Sequence, residues 1–270
     1  MKLKHILKNH LTVEELKIMP SSFDVVGDIL LFIEFPKELK KKEKDIARTL
    51  INYFKHINVV AKKSEHYSGK YRTPKIEIMG GENRKETIHK ENNCRFKLDL
   101  EKCYFSTRLG NERKRIYEKV KSNETVLVMF SGIGVYPIEI SKNTKAKEVY
   151  GIEINPTAHN YALDNLQLNK TKNVHLFKGD VSEILPTLNK KFDRIIMPLP
   201  KEANKFLPLA KKYINPKGII HLYTFLEESQ IKTAKKVVES KLKKFKISSK
   251  AKCGEYSPRV YRVCLDIKVS

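Results

Sequence analysis

The sequence predicts an α/β protein in two parts: a smaller α+β domain over residues 1–110, then a doubly wound, mostly parallel sheet over 111–270. Three observations predict it. From residue 111 onward, strand-length apolar runs alternate with helix-length amphipathic ones, the pattern of a parallel sheet covered on both faces. The run "TVLVMF" enters a glycine-bearing turn, Ser131-Gly132-Ile133-Gly134. Ahead of residue 105 the segments "KIEIMGG", "KETIHKE" and "RFKLDLEK" alternate polar and apolar residues, as strands with one buried face do.

Residues 1–18 carry an amphipathic helical pattern with acids. The stretch 22–35, "SFDVVGDILLFIEF", reads as two short strands around Gly27-Asp28, a turn dipeptide. Over 37–55, Ile46, Leu50, Ile51 and Phe54 fall on one helical face with lysines opposite. The strand "INVVAKK", the loop "HYSGKYRTPK" and the three alternating segments complete an antiparallel sheet. In the second part "NERKRIYEKVK" is a helix and "ETVLVMF" a buried strand. "YPIEISKNT" begins a helix, "EVYGIEI" is a strand, and "PTAHNYALDNLQLNK" is a helix with Pro156 in its first turn. Then follow strand "NVHLFKGD", short helix "VSEILPTL", strand "FDRIIMPL", helix "EANKFLPLAKKYI", strand "GIIHLYTF", helix "QIKTAKKVVESKLKKF" and strand "RVYRVCLDIKV".

With 270 residues the chain can bury a sizeable core. No apolar run reaches the ~18 residues of a membrane span, and the N-terminus lacks the uninterrupted apolar stretch of a signal peptide. A cytoplasmic monomer is expected. The scattered cysteines (Cys94, Cys103, Cys253 and Cys264) show no metal-site spacing, so reduced structural thiols are expected and no metal. Lys plus Arg number 54 against 31 acids, a net charge of +23. Such an excess attracts polyanions, nucleic acid foremost. His89 and His221 sit in strands without motif context and read as structural hydrogen-bonders.

The turn after "VLVMF" places Gly132 and Gly134 where backbone can approach a ligand at a helix N-terminus. Glu153 ends the next strand, roughly 20 residues on, where doubly wound folds bind ribose hydroxyls. A carboxylate there can accept two hydroxyl hydrogen bonds. Asn155-Pro156 follow the acid, Asn165 and Asn169 lie along the helix, and Gly179-Asp180 close the third strand. Asp180 is read both as a partner of an adenine amino group and as an N-cap. This order of motifs favours a class I methyltransferase fold dependent on S-adenosylmethionine (AdoMet), Rossmann-like, over a nicotinamide dehydrogenase. The expected cofactor set is Phe130, Ser131, Gly132, Gly134, Glu153, Ile154, Asn155, Asp180 and Val181, with Pro198 and Pro200 of the fourth-strand turn.

The segment "KCYFSTRLGNERKRI" resembles the Tyr-Phe-Ser-Pro-Arg-Leu-x-x-Glu-Arg motif of the archaeal and eukaryotic tRNA (guanine-37-N1) methyltransferases and their wybutosine-pathway relatives. The likeness extends through "SFDVVGDILL", "IMPLPKEANKFL" and "YSPRVYRVCLDIKV", over about residues 15–270. It implies tRNA as partner and methyl transfer to N1 of the guanine 3′ of the anticodon. N1 carries a proton, so a base must remove it. By the motif match that base is Glu112. Arg108 and Arg72 are implied to stabilise charge on O6 or to hold phosphate, and Tyr104 to lie near the methionine end of AdoMet or the target base. Arg72, Lys70, Arg113 and Arg259 form the implied RNA-binding set, Arg113 also anchoring its segment. "KKSEHYSGKYR" adds tyrosines for stacking on a splayed base. Without the family, "NERKR" reads as a surface helix start with Glu112 paired to a neighbouring arginine.

Three departures from the family pattern bear on substrate choice. Pro198 stands where the family has an asparagine that positions the guanine, and proline offers neither side-chain amide nor N–H. Val128 replaces an acid common at the end of the first strand, and the family's extra N-terminal domain is expected to be absent. An aminocarboxypropyl transferase or a C7 methyltransferase of wybutosine synthesis is therefore the alternative enzyme. A non-catalytic RNA-binding protein on the same fold is the alternative from another class.

Overall fold

A computed structural model describes residues 3–69, 71 and 73–269. The chain divides into two compact units, Met1–Lys90 with Arg95–Thr107, and Glu91–Cys94 with Arg108–Ser270. The division thus falls after Thr107, where the sequence pattern placed it after residue 110, and the hairpin tip Glu91–Cys94 groups with the second unit.

In the first unit, two short helices, α1 (Leu3–Ile6) and α2 (Val13–Ile18), replace the one helix expected over 1–18. Thr12 is the reason. Its hydroxyl accepts the Glu15 N–H and the Glu15 carboxylate accepts the Thr12 N–H, a capping box that starts a new helix. The strands β1 (Asp24–Val26) and β2 (Ile29–Phe32) form the expected hairpin about Gly27-Asp28. Gly27 has φ +59, and a Cβ there would lie 2.1 Å from the Thr87 hydroxyl, so this turn requires glycine. The helix α3 (Glu43–Tyr53) follows a 3-10 turn, Lys37–Lys42, and buries Ile46 and Leu50 fully.

Next come β3 (Val59–Ser68) and β4 (Thr73–Gly81), giving the order β1-β2-β3-β4. This sheet is mixed rather than antiparallel throughout: β2 and β3 run parallel because α3 carries the chain back to the starting edge. The strands β5 (Glu86–Glu91) and β6 (Cys94–Asp99) pair separately. His89 accepts the Gly27 N–H through Nδ1, a structural hydrogen bond as expected.

The second unit opens with α4 (Gly110–Tyr117) and alternates thereafter. The elements are β7 (Thr125–Met129), α5 (Val135–Asn143), β8 (Glu148–Glu153), α6 (Pro156–Asn169), β9 (Val174–Lys178), α7 (Val181–Thr187) and β10 (Phe192–Met197). Then follow α8 (Leu207–Tyr213), β11 (Ile214–Glu227), α9 (Lys235–Glu239), β12 (Phe245–Ser257) and β13 (Val260–Val269). The sheet order is β12-β13-β11-β10-β7-β8-β9. Strands β11, β10, β7, β8 and β9 are mutually parallel; β13 runs antiparallel to β11 and to β12. Order reverses at β7, so the Gly132 turn lies at the switch point, at the carboxyl ends of the strands. Leu127, Met129, Ile195 and Leu265 pack on one face of the sheet, and Val126, Val128, Ile196 and Cys264 on the other.

Two expectations need correction here. The helix "EANKFLPLAKKYI" is a 3-10 turn, Ala203–Phe206, followed by α8, which begins where Pro208 fits a first turn. The C-terminal helix is only the five residues of α9, and 245–257 form a strand, β12, that the sequence reading missed. This strand is an outer one, and its lysines and serines hide the β-pattern while blunting the exposed edge. Among the described residues no helix is long and apolar enough to cross a membrane.

Candidate cofactor-binding and catalytic site

The turn between β7 and α5 is built from unusual backbone. Phe130 has φ +60, Gly132 φ +57 and Gly134 φ +83. Phe130 is held in that conformation by packing edge-on against Phe206, 5.0 Å between centroids. The Ser131 N–H donates to the Ile152 carbonyl, tying the turn to β8. On α6, Asn165 Nδ2 donates to the Ile133 carbonyl at 3.1 Å and fixes the turn from the other side. A Cβ on Gly132 would meet nothing within 4 Å, whereas one on Gly134 would press on Ala162 at 3.2 Å. The turn is therefore packed at Gly134 and open at Gly132, the side a ligand can approach.

Glu153 ends β8 beside that opening. Its Oε2 accepts the Gly132 N–H at 2.7 Å and its Oε1 the Asn155 N–H at 2.8 Å. Burial raises its carboxyl above the ordinary range, and these backbone donors pull the other way. With Ile154 as a third backbone donor, the carboxylate keeps one lone pair for a ligand hydroxyl. Asn155 caps α6 by accepting the Thr157 and Ala158 N–H groups, with Ile154 half-buried before it. Asp180 caps α7 through the Ser182 N–H at 2.7 Å, with Val181 buried behind it. At the end of β10 the Leu199 N–H bonds the Met197 carbonyl across Pro198, a three-residue turn that suits proline's fixed φ. The Leu199 carbonyl accepts the Glu202 and Ala203 N–H groups, so the turn uses two of its own acceptors around Pro198 and Pro200. An open glycine turn, an acid at the next strand end and a capping acid at the third fit a nucleoside-bearing cofactor such as AdoMet.

Glu112 stands in the first turn of α4 and is only 7% exposed. Its Oε2 accepts Arg115 Nε at 2.7 Å; its Oε1 accepts Arg115 Nη2 at 2.7 Å and the Tyr223 hydroxyl at 2.6 Å. The Tyr223 hydroxyl lies 2.9 Å from that of Tyr136, which therefore donates to it. Arg115 Nη1 donates to Asp266 Oδ2 at 2.8 Å, and Asp266 Oδ1 lies 2.7 Å from His221 Nδ1. Arg194 Nη1 lies 2.6 Å from His221 Nε2, and Arg194 Nε donates to Glu124. Arginine only donates, so Nε2 accepts and Nδ1–H donates to Asp266. Burial pushes His221 below its ordinary value. Burial pushes Asp266 up, but its bonds to His221 and Arg115 outweigh that and hold it well below the usual carboxylate range. The thiol of Cys253, against Glu112, is pushed up to about 12 by burial first and by that carboxylate second. His221, Cys264 and Asp266 bring donor atoms within 4.8 Å of one another, but Arg194 and Arg115 already engage this group, which suits no cation.

The pairing of Glu112 with a neighbouring arginine is thus present, inside the unit rather than on a surface helix. Arg113 requires correction: it is 4% exposed and held by the Glu91 carboxylate, with Glu139 at 3.8 Å, so it cannot reach RNA phosphate and serves as the anchor of its segment. Arg108 and Arg259 are exposed, the latter at the turn between β12 and β13 with φ +63. Tyr104, in the first unit, is 38% exposed. Arg72 and Lys70 lie outside the described residues. The sequence reading missed Arg115, Tyr223 and the Asn165 tie. Arg115 had a usable signal, since residues three apart share a helix face with Glu112 and Arg113 does not.

Family models match both units: the TRM5/TYW2 methyltransferase domain over residues 87–252 and the TYW2 N-terminal domain over residues 3–84. The chain is 39% identical to the tRNA (guanine(37)-N(1))-methyltransferase Trm5b of Pyrococcus abyssi, over 94% of this chain and 76% of that one. It is 32% identical to the tRNA(Phe) (4-demethylwyosine(37)-C(7)) aminocarboxypropyltransferase of Methanocaldococcus jannaschii, over 93% and 98% of the two chains. The structure of aTrm5 in complex with tRNALeu superposes with a TM-score of 0.87 at 33% identity, covering 100% of this chain and 78% of that one. The fold, the glycine turn with its acid and the agreement over both units lead to one assignment: the chain belongs to the TRM5/TYW2 family of AdoMet-dependent methyltransferases.

Proposed function

We propose that this protein methylates N1 of guanine 37 in tRNA, acting as a cytoplasmic monomer. The observation that carries the reading is the position of Glu112. Its partner Tyr223 lies one residue beyond Leu222, which pairs with Met197, the last residue of β10. The carboxylate therefore sits level with the strand ends, where the Gly132 turn and Glu153 also lie. AdoMet, when bound, supplies an electrophilic methyl group; Gly132, Gly134, Glu153, Asn155 and Asp180 are the residues that would hold it.

Glu112 accepts the guanine N1 proton in this reading. Arg115 orients the carboxylate, and Oε2, with fewer donors than Oε1, is the oxygen that takes the proton. The base role requires Oε2 to exchange part of its Arg115 bond for the guanine. Arg108 stabilises charge on O6 in this reading.

A second reading is aminocarboxypropyl transfer to the same nucleotide. Pro198, which lacks the amide of the family's asparagine, and the match of the first unit to a TYW2 N-terminal domain favour it. Incubating the protein and unmodified tRNA with AdoMet labelled in the methyl or in the carboxyl group separates the two. Methyl label in RNA is expected; carboxyl label alone establishes the second reading, and no label excludes both.

A further inference from the structure

We propose that Tyr256, packed on Phe225 with Lys201 over its ring, binds one unpaired nucleobase of the RNA substrate beside the reacting guanine. This deepens the tRNA reading above and rests on it. The pairing of β12 with β13 jumps from Glu255↔Tyr261 to Ser257↔Val260, so Tyr256 is the extra residue of a bulge. A bulge re-aims its side chain. Here the ring turns onto Phe225 of β11, with centroids 4.1 Å apart and planes at 34°. Arg262, opposite Phe225 in the register, brings its guanidinium carbon within 5.7 Å of the Phe225 ring. Lys201 Nζ lies 5.8 Å from the Tyr256 ring.

Tyr256 remains 54% exposed. A ring packed on a neighbour yet half-exposed is already ordered, so stacking a base on it, with the Lys201 side chain moving to the phosphate, costs little further entropy. The place is informative too. Lys201 directly follows Pro200, so the ring stands next to the turn that ends β10, at the ligand-binding edge of the sheet.

Charge decides the occupant. A half-exposed aromatic ring beside Lys201, on a chain of net charge +23, matches a base flanked by phosphates. The neighbouring acids are engaged elsewhere: Glu255 accepts the Arg259 N–H, and Glu228 pairs with Lys252 at 2.6 Å.

The test compares wild type, Tyr256→Ala and Tyr256→Phe for affinity toward unmodified tRNA at one salt concentration, by fluorescence anisotropy. Tyr256→Ala should weaken binding roughly 5- to 150-fold, the equivalent of the about 1–3 kcal/mol that one stacked base contributes. Tyr256→Phe should stay within about twofold, and AdoMet affinity by calorimetry should match wild type in both, since the ring is absent from the cofactor set. A tRNA with 2-aminopurine placed at successive anticodon-loop positions should be quenched at one position by wild type and not by Tyr256→Ala. The salt slope should stay unchanged in Tyr256→Ala and fall by about 1 in Arg259→Ala. Equal tRNA affinity in wild type and Tyr256→Ala overturns the proposal. So does a change in sedimentation without a change in RNA affinity, which would make the ring a contact for a second copy. Binding is read without turnover. A protein that transfers no group yet loses RNA affinity in Tyr256→Ala thus defeats the proposed activity and leaves the stacking site standing.

Discussion

Between Arg115 and Tyr223 the Glu112 carboxylate receives three hydrogen bonds, and its chemistry follows from them. Glu112→Gln keeps the shape and removes the proton acceptor. Methyl transfer should fall by roughly 10²–10⁴-fold while AdoMet affinity is unchanged. Full turnover in single-turnover assays would reduce Glu112 to an ion-pair residue. Arg115→Ala tests the structural half, because it leaves Glu112 buried without its cation and Asp266 with Lys119 alone, 3.3 Å away; denaturation should show a loss on the order of 3 kcal/mol. His221 adds a pH signature. Its folded-state pKa is depressed, so below about pH 6.5 the unfolded chain binds a proton that the native state refuses. Stability should fall as pH drops from 7 toward 5, and the fall should be smaller in His221→Gln, His159, also depressed by burial, supplying the remainder. Denaturation curves flat with pH in wild type would contradict the neutral, Asp266-donating imidazole. The sequence revealed His221 as a hydrogen-bonder and Glu112 as an arginine partner. Which arginine depended on helical phase, and Arg113 points instead at Glu91.

At the scale of elements, the glycine turn was legible because strand, turn, acid and Asn-Pro helix follow one another in the chain. Its anchoring by Asn165, from a helix thirty-two positions away, was not. The missed strand β12 shows the limit of periodicity: a lysine-rich outer strand has little apolar pattern to read, and its partner β13 alone gives it register. The parallel β2–β3 pair was equally hidden, since direction depends on where α3 returns the chain. Gly132 gives this scale its prediction. A side chain there is strained by φ +57, at a cost of about 1–2 kcal/mol, but clashes with nothing in the protein. Gly132→Val should therefore fold, with a modestly lower melting temperature, and lose AdoMet affinity at least tenfold by calorimetry. Undiminished affinity would move the cofactor away from this turn.

For the molecule as a whole, the net charge of +23 and the fold point to one substrate class, and affinity for tRNA should fall steeply with salt as counterions are released. Composition made that class legible, but not the acceptor atom. Pro198 offers no side-chain amide, so in the proposed reading selectivity falls to backbone groups and Glu112. The central claim is a methyl group delivered to N1 of one guanine. Its most direct test is nucleoside analysis of a tRNA transcript, with guanine or adenine at position 37, after incubation with methyl-labelled AdoMet. The account predicts labelled 1-methylguanosine from the guanine transcript and no label in the adenine one. Label at another atom or another position, or equal label in both transcripts, would contradict it.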